Sequence, residues 1–217
     1  MFILGLTGSL GMGKSTTAGF FVEAGVPVHD ADAVVHRLYE GEDEGKAATA
    51  IEAAFPGTTL AGKVDRDKLA ARVLANPAAL RALEAIVHPL VRAAEARFLN
   101  DARARGAKVV VLDIPLLLET ASDQRVDAIV VVSAPSDVQR QRVLERPGMT
   151  PDKLDALLAR QMADSEKRRR ADFHPSRVKR IAKAAFGTHF MLGQFACIHF
   201  VAQPVDNLAV LCVCGPD

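Results

Sequence analysis

The sequence predicts an α/β fold, a parallel sheet with helices on both faces. Three observations carry this. Four runs, Phe2–Thr7, Val26–His29, Lys108–Asp113 and Ala128–Ser133, are dominated by apolar residues, mostly Val, Ile and Leu, without clean polar alternation, as in strands covered on both faces. Helical segments lie between and after them, giving β-α-β, a long helical region, then β-β-α-α. The chain has 217 residues, 49% of them apolar, enough for one substantial domain with inserted parts.

The first strand leads directly into Gly8-Ser9-Leu10-Gly11-Met12-Gly13-Lys14-Ser15. This fits G-x-x-x-x-G-K-[ST] between a strand and a helix, the context that the phosphate-binding P-loop requires. Its glycines permit turns that a Cβ obstructs, so backbone N–H groups can converge on phosphate oxygens. Lys14 supplies a mobile positive charge for the β- and γ-phosphates, Ser15 a hydroxyl for Mg²⁺, and the helix start its positive end. A Gly-rich turn with a chance Lys-Ser is the plain alternative; matched fixed positions and flanks favour a nucleoside triphosphate site.

The second strand ends at Asp30-Ala31-Asp32. Residues two apart at a strand end point the same way, so both acids can face a cleft and orient an attacking hydroxyl. A helix N-cap plus a solvated acid fits the spacing equally well.

Residues 31–105 are rich in Ala, Leu, Glu and Arg and read as a mostly helical insertion, with breaks at Gly41–Gly45, Phe55–Gly62 and Asn76–Pro77. Asn76 can cap a helix that has Pro77 at its first position. Within that helix Pro89 is expected to force a kink or break. His88 can then contact a substrate or satisfy the interrupted backbone, and the residues alone favour the second role.

The third strand ends in Asp113-Ile114-Pro115-Leu116-Leu117-Leu118-Glu119. Asp113 suits an acid that reaches Mg²⁺ through water, or one that caps the next turn. After the fourth strand, residues 136–170 read as a charge-rich helical pair with a break at Pro147-Gly148, suited to a lid over phosphates. Arg142 and Arg146, one turn apart, share a face that can meet a transferring phosphoryl group or water. The run Lys167–Arg170 reads as a solvated or phosphate-steering face.

Bulk properties exclude several classes. A net charge of +1 gives no global sign of a nucleic-acid partner. No run approaches the roughly 18 apolar residues of a membrane span, and the N-terminus reads as strand one instead of a signal peptide. The three cysteines, Cys197, Cys212 and Cys214, form no disulfide framework, so a cytoplasmic setting is expected.

These motifs, in this order, resemble the dephospho-CoA kinase family. The pieces are Leu6–Thr16, Asp30-Ala31-Asp32, Ile86-Val87-His88-Pro89-Leu90, Asp113–Glu119, Gln141-Arg142, Gln161 and Arg170-Ala171-Asp172, covering about residues 1–173. The resemblance implies a P-loop kinase of the nucleoside-monophosphate-kinase type, with a core (1–30 and 106–135), a helical substrate domain (31–105) and a lid (136–170). It implies transfer of a phosphoryl group from ATP, with Mg²⁺, to the ribose 3′-hydroxyl of dephospho-CoA. By position, Gly11, Met12, Gly13, Lys14, Ser15 and Thr16 hold ATP phosphates, with Lys14 also catalytic. Asp32 is the base and Arg142 the lid arginine. Asp30, His88, Pro115, Leu116 and Glu119 face the substrate, and Ser15 and Asp113 serve the metal. A monomer or weak oligomer acting on a small molecule is expected. Another small-metabolite or nucleotide kinase of this fold, or a nucleotide binder impaired in catalysis by its altered tail, is the alternative.

Two departures stand out. Ser9 and Met12 occupy positions where the family has Gly and a small residue; Ser9 needs a negative φ, and Met12 has room if it points outward. Beyond Asp172-Phe173 nothing matches. Residues 171–217 read as a replaced or frame-shifted tail, expected to pack loosely and not to reproduce the fifth core strand and adenine-side turn.

Overall fold

The computed structural model describes residues 1–74, 76–171 and, as backbone strands, 198–202 and 209–213. The chain divides into two compact units, Met1–His29 with Ala102–Asp217, and Asp30–Asp101.

The first unit is built on a six-stranded sheet ordered β2-β5-β1-β6-β8-β7. Its members are β1 (Phe2–Thr7), β2 (Val28–Asp30), β5 (Val109–Asp113), β6 (Ala128–Ser133), β7 (Ile198–Ala202) and β8 (Ala209–Val213). Central β1 pairs in parallel with β5, from Phe2↔Val109 to Leu6↔Asp113, and with β6, from Leu4↔Ala128 to Thr7↔Val131. Alternation along the strands fills both faces. Leu4, Leu6, Val109, Val111, Val130 and Val132 form one cluster, with Phe21 of helix α1 (Lys14–Glu23) against it. Ile129 and Val131 join Leu117 and Leu118 in another. Each such side chain contributes about 1.5–3 kcal/mol when fully buried.

The second strand starts later than its apolar run. Val26 belongs to the turn that ends α1, where Gly25 takes φ 75 and the Val26 N–H donates to the Phe21 carbonyl at 2.9 Å. Two strands absent from the sequence prediction extend the sheet, which corrects the expectation that the tail would not supply a fifth core strand: β8 runs parallel to β6 (Val132↔Leu211, Ser133↔Cys212), and β7 pairs antiparallel with β8. The expected character of the remaining tail falls outside the described residues. After β6, three helices form where a pair was expected: α6 (Ser136–Leu144), α7 (Pro151–Leu158) and α8 (Asp164–Arg170).

The second unit holds α2 (Ala31–Tyr39), α3 (Lys46–Ala54), α4 (Arg66–Val73) and most of α5 (Pro77–Ala104). A hairpin, β3 (Thr59–Leu60) with β4 (Lys63–Val64), begins within the break expected over Phe55–Gly62. Asn76 caps α5 by accepting from the N–H groups of Ala78 at 3.0 Å and Ala79 at 3.2 Å. Of the kink or break expected at Pro89, the break does not occur: α5 runs for 28 residues with Pro89 inside it. Leu83 and Val87 bury in one cluster before the proline, and Leu90 and Ala94 pack on another after it. That packing offsets the roughly 3 kcal/mol that an interior proline costs.

Candidate active site

The loop between β1 and α1 depends on glycine in two distinct ways. At Gly8 the need is space, since a Cβ there would sit 2.7 Å from the Val132 carbonyl oxygen of β6. At Gly11 it is also conformation, a φ of 78 that L side chains rarely adopt. Ser9 keeps out of the positive-φ region. Met12 turns inward instead of outward: it is 4% exposed, and its Sδ accepts from the Ala134 N–H at 3.1 Å. The thioether fills the space beside the end of β6, so Met12 has only its backbone to offer a ligand.

Lys14 opens α1 and its Nζ lies 2.6 Å from Oδ1 of Asp113, at the end of β5. Asp113 is buried, 1% exposed. Ser15 and Thr16 follow on the first turn and are exposed. Among the described residues no side chain caps α1, so its first-turn N–H donors add to the loop's donor set.

Helix α6 lies against this loop. Arg142 Nη1 is 3.8 Å from where a Cβ on Gly13 would be, with its side chain exposed. Arg140, on another face, pairs with Asp155 of α7 at 2.8 Å. Two glutamines complete the contact. Gln139 Nε2 donates to the Leu10 carbonyl at 2.7 Å, and Gln161 Oε1 accepts from the Leu10 N–H at 3.1 Å. Sequence reasoning gave Gln139 no place and Gln161 no role. The available signal was Gln139 standing three residues before Arg142 on one helix face.

The turn after β5 is tied inward. The Pro115 carbonyl accepts from Thr7 Oγ1 at 3.0 Å, Leu117 and Leu118 are buried, and Leu116 is exposed. Glu119 turns to the α8 segment, accepting from the Met162 N–H at 3.0 Å and pairing with Lys167 Nζ at 2.8 Å. Burial opposes the Glu119 charge, but Lys167 and the Met162 N–H outweigh it and hold the carboxyl below its usual range. Lys167 is 0% exposed, which corrects the solvated-face expectation for the basic run at this residue. Arg169 and Arg170 are exposed and pair with Glu166.

In the second unit, Asp30 is the N-cap of α2, accepting from the Ala33 N–H at 2.9 Å. Asp32 is exposed in the first turn of that helix. The two acids do not share a strand face, because β2 ends at Asp30 and helix begins at Ala31, so the N-cap alternative holds. His88 is exposed on α5.

The donors suit Mg²⁺. Among the described residues there is no group of three or more His, Cys, Asp and Glu placed to hold a metal, and Mg²⁺ bound with nucleotide needs no such cage. It takes one or two protein oxygens, with phosphates and waters completing the octahedron. The exposed Ser15 hydroxyl on the α1 turn and the Asp113 carboxylate beside Lys14 are oxygen donors of that kind. Among the described residues no helix is long and apolar enough to cross a membrane.

Comparison with known proteins agrees with this geometry. The sequence profile of the dephospho-CoA kinase family matches residues 2–176. A Rhodopseudomonas palustris protein named dephospho-CoA kinase is 63% identical over 173 residues, covering 80% of this chain and 85% of its own length. The crystal structure of TT1252 from Thermus thermophilus superposes with a TM-score of 0.66 at 36% identity, covering 84% of this chain and 95% of that one. The dephospho-CoA kinase from Campylobacter jejuni shares the fold, with a TM-score of 0.59 at 24% identity over 85% of this chain and 98% of its own. The chain belongs to the dephospho-CoA kinase family, ATP-dependent phosphotransferases of coenzyme A synthesis with an alcohol as acceptor.

Proposed function

We propose that this chain transfers the γ-phosphoryl group of ATP to the ribose 3′-hydroxyl of dephospho-CoA. The observation that carries the assignment is the loop Gly8–Ser15 with Lys14 on Asp113 and Arg142 beside Gly13. Loop N–H groups and Lys14 hold the β- and γ-phosphates. Arg142 stabilises charge spread over the transferring group, and Lys14 keeps its ammonium at the reacting end. Ser15 and Asp113 would hold Mg²⁺, which when bound neutralises charge on the phosphate oxygens.

On the acceptor side, Asp32 orients the 3′-hydroxyl and takes its proton as the bond to phosphorus forms. Asp30 already caps α2, which favours Asp32 as the base. Asp30, His88, Pro115, Leu116 and Glu119 are assigned to substrate contact by their family positions, the Glu119 carboxylate also pairing with Lys167. A cytoplasmic setting belongs to the same proposal and is supported by cysteine usage without a disulfide framework.

The test is Asp32→Asn with ATP and dephospho-CoA. The expected result is a fall in kcat of about a hundredfold or more with ATP affinity held within twofold. A variant with near wild-type kcat removes Asp32 from the base role.

A further inference from the structure

We infer that Gln139 and Gln161 are positioning residues that lock the phosphate loop by gripping both backbone polar groups of Leu10, and that they tie the loop to the arginine-bearing helix. This rests on reading Gly8–Ser15 as the ATP-phosphate loop. Leu10 stands mid-loop, between glycines that free the chain on either side. Between Gly8 and Met12 the backbone makes one local hydrogen bond, Met12 N–H to the Ser9 carbonyl at 3.2 Å. A glycine-rich loop held so lightly samples many arrangements, and external anchors remove that freedom before ligand arrives.

The anchors come from two places. Gln139 lies on α6 and is 7% exposed; its amide donates to the Leu10 carbonyl. Gln161 lies in the turn between α7 and α8, and its side-chain carbonyl accepts from the Leu10 N–H. That turn is itself fixed, because the neighbouring Met162 N–H donates to Glu119. Gln139 and Arg142 share a face of α6 three residues apart. The grip on Leu10 therefore also sets the height of the Arg142 guanidinium over Gly13.

The two amides do opposite jobs, and carboxylate substitution separates them. Gln161→Glu keeps an acceptor for the Leu10 N–H. Gln139→Glu loses the donor and sets a negative charge against the Leu10 carbonyl oxygen. The experiment measures the calorimetric Kd of ATP and, separately, turnover with dephospho-CoA for the full chain and its variants.

Gln161→Leu is expected to weaken ATP binding about tenfold, and Gln161→Glu to bring it back within about threefold of wild type. Gln139→Glu is expected to weaken it about tenfold or more, without such rescue. KM for dephospho-CoA should stay within about twofold throughout. Gln139→Met, which keeps length without a donor, should match Gln139→Glu and unfold near the wild-type temperature. It therefore decides the matter if the charged variant fails to fold. Equal effects of the two Glu variants, a reversed order, or wild-type affinity in Gln139→Met or Gln161→Leu overturns the inference. A wild-type chain that binds ATP but does not phosphorylate dephospho-CoA overturns the proposed function instead, while the ranking of Kd values still decides the roles of the glutamines.

Discussion

Lys14 Nζ and Asp113 Oδ1 lie 2.6 Å apart, joining the phosphate loop to the end of β5 through a carboxylate that is almost fully buried. Lys14 thus has two tasks, to bind phosphate and to balance a buried charge. Lys14→Met is expected to lower kcat about a hundredfold or more and to cost about 3 kcal/mol of stability by removing the cation beside Asp113. Adding Asp113→Asn should recover most of the stability and none of the activity. Thermal unfolding and a coupled assay on the single and double variants measure both. A single variant as stable as wild type contradicts the balancing role.

The Glu119–Lys167 pair gives a dependence on pH with a definite sign. The folded Glu119 carboxyl titrates below its usual range. Its stabilising contribution is therefore complete above the unfolded Glu pKa of about 4.3 and is lost as pH falls through the lowered folded value. Glu119→Gln should be less stable than wild type at neutral pH, because Lys167 then keeps a buried charge without its carboxylate. The gap should narrow as pH drops below about 4.3. Denaturant unfolding at several pH values tests this; a gap constant across that range counts against it.

Two glycines should respond oppositely to the same change. Gly8→Ala places a Cβ 2.7 Å from the Val132 carbonyl oxygen, so β1 and β6 must separate locally. The expected cost is about 1–3 kcal/mol, with weaker ATP binding. Gly19 lies within α1, and a Cβ there meets nothing within 4 Å. Gly19→Ala should stabilise by about 0.5–1 kcal/mol. The two unfolding temperatures decide.

Pro89 interrupts the hydrogen-bond ladder of α5 without ending the helix. Pro89→Ala restores an N–H donor and should raise stability by about 1–3 kcal/mol, part of the proline cost being returned by a freer unfolded chain. A variant that unfolds at a lower temperature shows that α5 uses the proline's geometry.

Much of this was legible in the sequence because it rests on local rules. The P-loop declares itself by spacing and flanks, Asn76-Pro77 announces the start of α5, and doubly covered strands read as apolar runs. What was illegible depends on contacts far along the chain. Nothing near Lys167 reveals that its partner is Glu119, 48 residues earlier (167 − 119). The glutamines meet Leu10 across separations of 129 and 151 residues. The continuation of α5 through Pro89 depends on packing on both sides of it, which no local rule encodes. For Asp30 and Asp32 the spacing fits strand alternation and an N-cap with a solvated acid equally well, and only the end of β2 at Asp30 decides for the N-cap. The tail's strands arise from runs such as Ile198–Ala202 and Ala209–Val213, whose apolar character alone did not fix their place in the sheet.

The most direct test supplies the full chain with ATP, Mg²⁺ and dephospho-CoA and identifies the product by mass and by the position of the new phosphate. ADP and a product with one added phosphoryl group on the ribose 3′-oxygen are expected, formed in equal amounts and abolished by Lys14→Met. ADP released without a phosphorylated acceptor, or a phosphate at any other position, would contradict the proposed function.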